Sequence, residues 1–523
     1  MIYANNKLYT FSIFFLLLIG TNLLVAEVTD NSPLIARVGE DSITVEQFVG
    51  LFELNPRINS SNSSGLIAAK IDFLHTLIGN KIWYQYRKNR GVDTTLAERT
   101  AGNELRMMFT LDYLYRKKIL EKTEPTEEEL KSAFRQASKT LSVNYLFTES
   151  EDEINNLYDL LKQGFEFEEI LAARNEREKQ RESIKINFGD YEKHAEDELY
   201  SLDAKNYSNP IHLEDGYYIF YLANIFTKHF LDDESYQEEN ERIKDILRKR
   251  NENKIYNDFM KSVLSGKEVA VNKSLKEDLI KQFDKRKQNN LFEEIIGDSI
   301  YILSSKNVLE IESDLGKPVL NDVLLKIDSM EITFRKFIRA LVLTHSKIIF
   351  NQNSSRKFVE TKLSDYIQKL ILYEEAKKMG FNTAGEVQSN LKLWTEYFSF
   401  ESVRSSIADT INITDEMIIK AGRKIFQNSS DSTFIKDKSQ MELIRNQLVD
   451  KGVSRILKYE TAELAKNVMI EINYGLLQGL ETSRIISFAI RRLGFGGSLP
   501  AVPNYFPNSG WVNPDNYKQY ILP

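Results

Sequence analysis

Cysteine is absent from all 523 residues. That excludes disulfides, a CxxC redox pair, thiolate zinc sites and the lipidated cysteine of a bacterial lipoprotein. Histidine is scarce at five, and His75, His194, His212, His229 and His345 make no HExxH or HxH cluster, so the pattern offers no metal site and implies no cofactor. There is no GxSxG elbow and no Walker loop. Gly494–Gly497 reads GFGG but lacks the lysine and hydroxyl of a phosphate loop, and is read as a turn. The net charge is −7 with basic residues spread along the chain, which leaves no nucleic-acid footprint. The adjacent acids Glu168 and Glu169, and Asp197 and Glu198, read as solvated helix faces.

What is present points to a helical, multidomain protein. Hydrophobic residues make up 42% and charged residues 28%, which is globular composition. Only 10 prolines interrupt long stretches rich in Glu, Lys, Leu, Ile and Ala, and that mixture favours helix. The length implies two to four domains. Lys7, then Phe11–Ala26 (FSIFFLLLIGTNLLVA) and the acidic Glu27–Asp30, has the order of a secretory leader. Cleavage after Ala26 and retention as an anchor both fit. No other stretch reaches the roughly 20 apolar residues a membrane span needs.

The chain also reads as duplicated. Ile35–Phe52 (IARVGEDSITVEQFVGLF) is echoed 289 residues later by LLKIDSMEITFRKFIRAL, with Val38 matching Ile327, Ile43 matching Ile332, Thr44 matching Thr333 and Phe48 matching Phe337. The register continues through Leu74 and Leu363, Ile78 and Ile367, Tyr84 and Tyr373, and Gly91 and Gly380. It then slips by one residue, so that PTEEEL at Pro125 matches ITDEMI at Ile413. Each copy predicts a short hairpin, a helix capped by a threonine, and a helix with an apolar stripe such as Leu74, Leu77, Ile78 and Ile82. His75 on that stripe is read as packed or rim histidine.

Between the copies the texture changes. Leu141–Thr148 (LSVNYLFT) predicts a strand, Ser150 caps a helix stopped by Gly164, and Tyr217–Ile225 predicts a second strong strand. DEINNLYDLLKQGFEFEEIL resembles a helix and "G-x-x-F-x-x-L" element of the parvulin-type (PpiC) peptidyl-prolyl isomerases. LYSLDAKNYSNPIHLEDGYYIFYL, Leu199–Leu222, is similar to that family's "A-F-S-L-x-x-G-x-x-S-x-P-V…G-Y-H-I-I-x-L" ending. The flanking segments resemble the helical module of the SurA/PrsA/PpiD chaperones, so the resemblance covers about Leu34 to Gly266.

That resemblance implies a fold that is mainly α with α+β inserts: a helical chaperone module, a parvulin-like domain, then a partial second copy of both. The expected division is a leader or anchor at 1–26, a helical module at 27–137, the parvulin-like domain at 138–228 and a returning helix at 229–266. A connector at 267–320, a second helical module at 321–428 and a partial second parvulin-like segment at 440–523 follow. In the last, Val453–Leu457 is read as a strand, Arg455 as standing at a family histidine position, and Ser509-Gly510-Trp511 as a family turn. The resemblance further implies an ATP-independent, periplasmic or envelope chaperone for unfolded or nascent exported proteins, outer-membrane proteins among them, with no nucleic acid. A membrane would be met only through an uncleaved leader. The family's two catalytic histidines fall at Tyr145 and Tyr218, and its apolar cradle at Tyr191 and Ala195, which predicts weak or absent isomerase activity. A working isomerase is the alternative. Phe48, Leu51, Phe52, Trp83, Tyr84 and Tyr86 are read as candidates for peptide binding.

Overall fold

Alternating apolar residues and a turn at Gly39, held at φ +56°, make Leu34–Val38 (β1) and Asp41–Thr44 (β2) an antiparallel hairpin. Thr44 then caps Val45–Glu53 (α1), its hydroxyl accepting from the Gln47 amide at 3.2 Å. Ser63–Asn89 (α2) and Leu96–Lys118 (α3) follow. The predicted stripe of α2, Leu74, Leu77, Ile78 and Ile82, is buried with Phe48, Leu51 and Phe52 in one core. Each such side chain contributes about 1.5–3 kcal/mol on burial. This computed structural model describes residues 32–55, 63–92, 95–175, 183–228, 232–289, 291–296, 300–343, 347–349, 354–425, 438–483 and 488–512. The leader read at Phe11–Ala26, His229 and His345 lie outside the described residues. Among those described, no helix is long and apolar enough to cross a membrane.

His75 sits inside this core, 2% exposed, with Nε2 2.9 Å from the Tyr474 hydroxyl. Burial disfavours the charged ring and pushes its pKa from 6.5 down to about 4. Between those two values the unfolded chain takes up a proton that the folded chain refuses. Folding stability therefore falls as pH drops from 6.5 to 4, by about 3 kcal/mol from this residue alone. Urea midpoints measured across that window should fall less steeply for His75→Gln than for the unaltered chain; parallel curves would refute the assignment.

Glu127–Ala137 (α4) opens with a reciprocal cap, Thr126 accepting from the Glu129 amide while the Glu129 carboxylate accepts from the Thr126 amide at 2.8 Å. Then come Lys139–Thr148 (β3), Glu151–Lys162 (α5), Phe167–Asn175 (α6), Ile184–Ile186 (β4), Lys193–Ser201 (α7), Ile211–Leu213 (β5), Gly216–Thr227 (β6) and the long Asp233–Leu264 (α8). The strands form one antiparallel sheet in the order β4-β3-β6-β5. One apolar face carries Leu146, Ile154, Leu161, Phe167 and Ile219. The other carries Leu141, Val143, Ala195, Leu199, Phe220 and Leu222. The short β4 joins the sheet because Ile186 is buried beside Leu141.

Next are Val269–Val271 (β7), Lys273–Gln288 (α9), Glu293–Ile296 (β8), Ile300–Ile302 (β9), Ser305–Leu315 (α10) and Lys317–Asn321 (α11). The expected connector is thus folded. Val323–Ile327 (β10), Met330–Thr333 (β11) and Phe334–Leu343 (α12) follow, then Lys347–Ile349 (β12), Ser354–Lys378 (α13), Gly385–Asp409 (α14) and Asp415–Ile425 (α15). The chain continues through Lys438–Ala465 (α16), Ile470–Ile472 (β13), Tyr474–Gly479 (α17), Ile490–Arg492 (β14) and Ser498–Pro500 (β15).

The strand predicted at Val453–Leu457 is instead the interior of α16, where Val453 and Leu457 are buried one turn apart. Arg455 therefore occupies no sheet. Ser509-Gly510-Trp511 does form a turn, the Val512 amide donating to the Ser509 carbonyl at 3.5 Å, and Trp511 has a packing role there. Trp511 is buried, its indole Nε1 donating to the His75 carbonyl at 3.1 Å. Among the described residues of 440–523 there is thus no second sheet like that of β3 and β6. Gly494–Gly497 is a turn next to β14 and β15, as read. Two compact units result: Leu114–Gly266 is one, and the described residues up to Tyr113 together with those from Lys267 onward are the other.

Candidate functional site

The sheet of Leu114–Gly266 brings together the residues read as a catalytic dyad and cradle. β3 and β6 pair so that Tyr145 lies opposite Phe220, and Phe147 opposite Tyr218. Residues opposite one another and two apart share a face. The ring centroids of Tyr145 and Tyr218 are accordingly 5.6 Å apart, Phe147 and Tyr218 4.9 Å, and Tyr218 stacks on Phe220 at 5.4 Å. Tyr191 meets Phe220 edge-on at 5.7 Å. The result is an aromatic platform whose polar atoms are tyrosine hydroxyls.

Two devices hold the platform. Gly216 opens β6 at φ +150°, where a Cβ would lie 2.7 Å from Phe147 and 2.8 Å from the Thr148 carbonyl oxygen, so only glycine admits this close strand approach. The loop bearing Tyr191 is pinned from beneath by the Glu196 carboxylate, 1% exposed, which accepts from the Gly189 amide at 2.6 Å and the Tyr191 amide at 3.3 Å. Arg250 of α8 pairs with the same carboxylate at 2.7 Å and also donates to the Tyr191 carbonyl at 3.2 Å.

The chemistry open to this surface is limited. Tyr218 donates to Asp215 at 2.7 Å; burial first, then that bond, raises its pKa well above the usual phenol value. Tyr191 is also raised, first by burial and then by Tyr145 and nearby acids. Tyr191 and Tyr218 therefore stay protonated near neutral pH and serve as hydrogen-bonding groups rather than acids or bases. Ala195 is fully buried in the sheet core, so the second cradle position presents no side chain to a ligand.

Four of the peptide-binding candidates outside this sheet are corrected by their burial. Phe48 and Phe52 are fully buried, and Trp83 is buried with its indole donating to Thr461 Oγ1 at 2.8 Å. Leu51 is core as well. Tyr84 and Tyr86 are half-buried. The apolar face of α1 and the stripe of α2 are packing surfaces. One feature escaped the sequence: an open cleft of about 670 Å³ beside β5 and α7, lined by Glu192, His194, Glu198, Pro210, His212 and Glu214. Its residues come from separate elements, and no local pattern marks them.

The sequence matches no protein-family model and no curated protein. Among solved structures, the chain is similar to a peptidylprolyl isomerase (PrsA) from Bacillus cereus at 18% identity, covering 44% of this chain and 92% of that one with a TM-score of 0.21. It is similar to the foldase protein PrsA from Streptococcus pneumoniae at 18% identity, covering 41% and 85% with a TM-score of 0.19. A PrsA peptidylprolyl isomerase from Bacillus anthracis is 17% identical over 38% and 94%, with a TM-score of 0.19. The likeness is partial.

Proposed function

We propose that this chain is a nucleotide-independent chaperone of exported proteins, built like a parvulin-type foldase that has lost its isomerase chemistry. The observation that carries this reading is the aromatic platform, in which Tyr145 and Tyr218 stand side by side where the resemblance implies histidines. Aromatic faces take up extended apolar and aromatic segments through stacking and area burial, without requiring a reaction. Its clients would be unfolded or nascent envelope proteins, outer-membrane proteins among them, met in the periplasm or cell envelope after export by the leader at Phe11–Ala26.

Prolyl isomerisation requires lowering a barrier of about 18–20 kcal/mol by desolvating and distorting the amide. Tyr191 and a buried Ala195 make a poor cradle for that step. The test is a paired assay on the purified chain, following suppression of aggregation of an unfolded outer-membrane-type protein and cis/trans isomerisation of an Xaa-Pro peptide. Suppression is expected at stoichiometric chaperone, with isomerisation within about twofold of the uncatalysed rate. Tyr145→Ala with Tyr218→Ala should weaken suppression several-fold. Isomerisation at ordinary parvulin rates would establish the enzyme reading instead, and unchanged suppression in the double variant would remove the platform from the mechanism.

A further inference from the structure

The two hairpins have the same architecture down to individual hydrogen bonds. In β1–β2 the pairs are Leu34 with Thr44, Ala36 with Ile43, Arg37 with Ser42 and Val38 with Asp41. In β10–β11 they are Val323 with Thr333, Leu325 with Ile332, Lys326 with Glu331 and Ile327 with Met330, with the irregularity at the same step. Gly39 and Asp328, the corresponding turn residues, both have positive φ. The Val45 amide donates to the Pro33 carbonyl at 2.9 Å, and the Phe334 amide to Asp322 at 2.9 Å.

Each hairpin is completed by a third, three-residue strand. β13 lies against β1, with Ile472 opposite Ala36, Glu471 opposite Arg37 and Ile470 opposite Val38. β7 lies against β10, with Val271 opposite Leu325, Ala270 opposite Lys326 and Val269 opposite Ile327. The flanking bonds match too. Gly39 N donates to Met469 O at 2.8 Å and Asp328 N to Glu268 O at 2.9 Å, while Asn473 N donates to Ile35 O and Asn272 N to Leu324 O, both at 2.8 Å.

The segments supplying these strands are also alike. α8 ends at Leu264, five residues before β7, and Asn272 caps α9. α16 ends at Ala465, five residues before β13, and Asn473 caps α17. The chain order is therefore hairpin, long helix and strand, then hairpin, long helix and strand, yet each strand completes the hairpin of the other half. The helices follow suit, α2 of the first half packing on α14 and α16 of the second.

We propose that the chain consists of two copies of one helical module that have reciprocally exchanged their closing strands, so that neither half completes its own sheet. The acceptor on each half is the outer edge of β1 or β10, and the partner it fits is a short strand following a long helix of the other half. The second copy carries no counterpart of the β3–β6 sheet among its described residues: α15 matches α4 and α16 matches α8, with residues 426–437 between them.

The absence of cysteine gives a direct test in the full chain. Opposed residues of antiparallel strands have Cα atoms about 4.5–5.5 Å apart, within disulfide reach. Arg37→Cys with Glu471→Cys, and Ala270→Cys with Lys326→Cys, place a pair on each exchanged ladder at exposed or half-exposed positions. Both pairs should oxidise fully within one chain, seen as linked peptides from a monomeric band. Arg37→Cys with Ala270→Cys, and Lys326→Cys with Glu471→Cys, are the pairs that self-completed halves would form, and these should stay reduced. Oxidation of these latter pairs would overturn the proposal, as would cross-linked dimers of the first pairs or no oxidation of any.

Discussion

Glu396→Leu, made alone, is expected to cost about 3–5 kcal/mol of unfolding free energy, the range for breaking one side of a buried ion pair. Lys81 of α2 reaches Glu396 of α14 with Nζ 2.8 and 3.1 Å from the two carboxylate oxygens, and both side chains are 7% exposed. Lys392, one turn before Glu396, lies 3.9 Å from the same carboxylate and also pairs with Asp41. Removing the carboxylate thus leaves two ammonium groups near one remaining acid. Lys81→Met combined with Glu396→Leu fills the same space with apolar atoms and should recover most of the loss, since such replacements are often neutral or stabilising. Urea unfolding of both single variants and the double variant gives the cycle. A double variant no more stable than Glu396→Leu would show that the pair acts through packing rather than charge.

The second large effect is in the aromatic unit. Glu196→Ala removes at once the acceptor for two backbone amides, Gly189 and Tyr191, and the partner of Arg250, whose guanidinium also lies 4.8 Å from the Phe188 ring centroid. A buried carboxylate satisfying three donors is worth about 3–5 kcal/mol when truncated, because each donor is left without its partner in low dielectric. Amide hydrogen exchange at Gly189 and Tyr191 should rise along with the global loss. Glu196→Gln keeps an acceptor oxygen and should lose markedly less. If Glu196→Ala unfolds at the same urea concentration as the unaltered chain, the carboxylate does not hold the loop.

Local chemistry made much of this fold readable. Thr44, Thr126 and Ser150 are side-chain caps, and Gly91 and Gly164 take positive φ where helices stop. The strands at Leu141 and Tyr217 show as runs of β-branched and aromatic residues. What stayed hidden depends on distant partners. VAV at Val269 and IEI at Ile470 are too short to announce strands, and nothing local says which hairpin each completes. Val453–Leu457 misled because Val453, Ile456 and Leu457 satisfy helical spacing as well as a short apolar run, and the packing of α16 against α2 decides between them. Three of the peptide-binding candidates misled for a related reason. Phe48, Phe52 and Trp83 are apolar because they are interior, and sequence alone cannot separate an inward aromatic from one awaiting a ligand.

The ladder between β1 and β13 pairs Arg37 with Glu471, 434 positions away in the chain. Closing so long a loop adds little to the equilibrium cost, because that entropy grows only logarithmically with length. It weighs instead on rate and order, since distant pairings delay folding. A chain emerging amino end first presents Ala36 and Val38 long before Ile470 and Ile472 exist to cover them. Throughout that interval its first core has an open edge, and the molecule is, for a time, in need of the same protection it is proposed to give others.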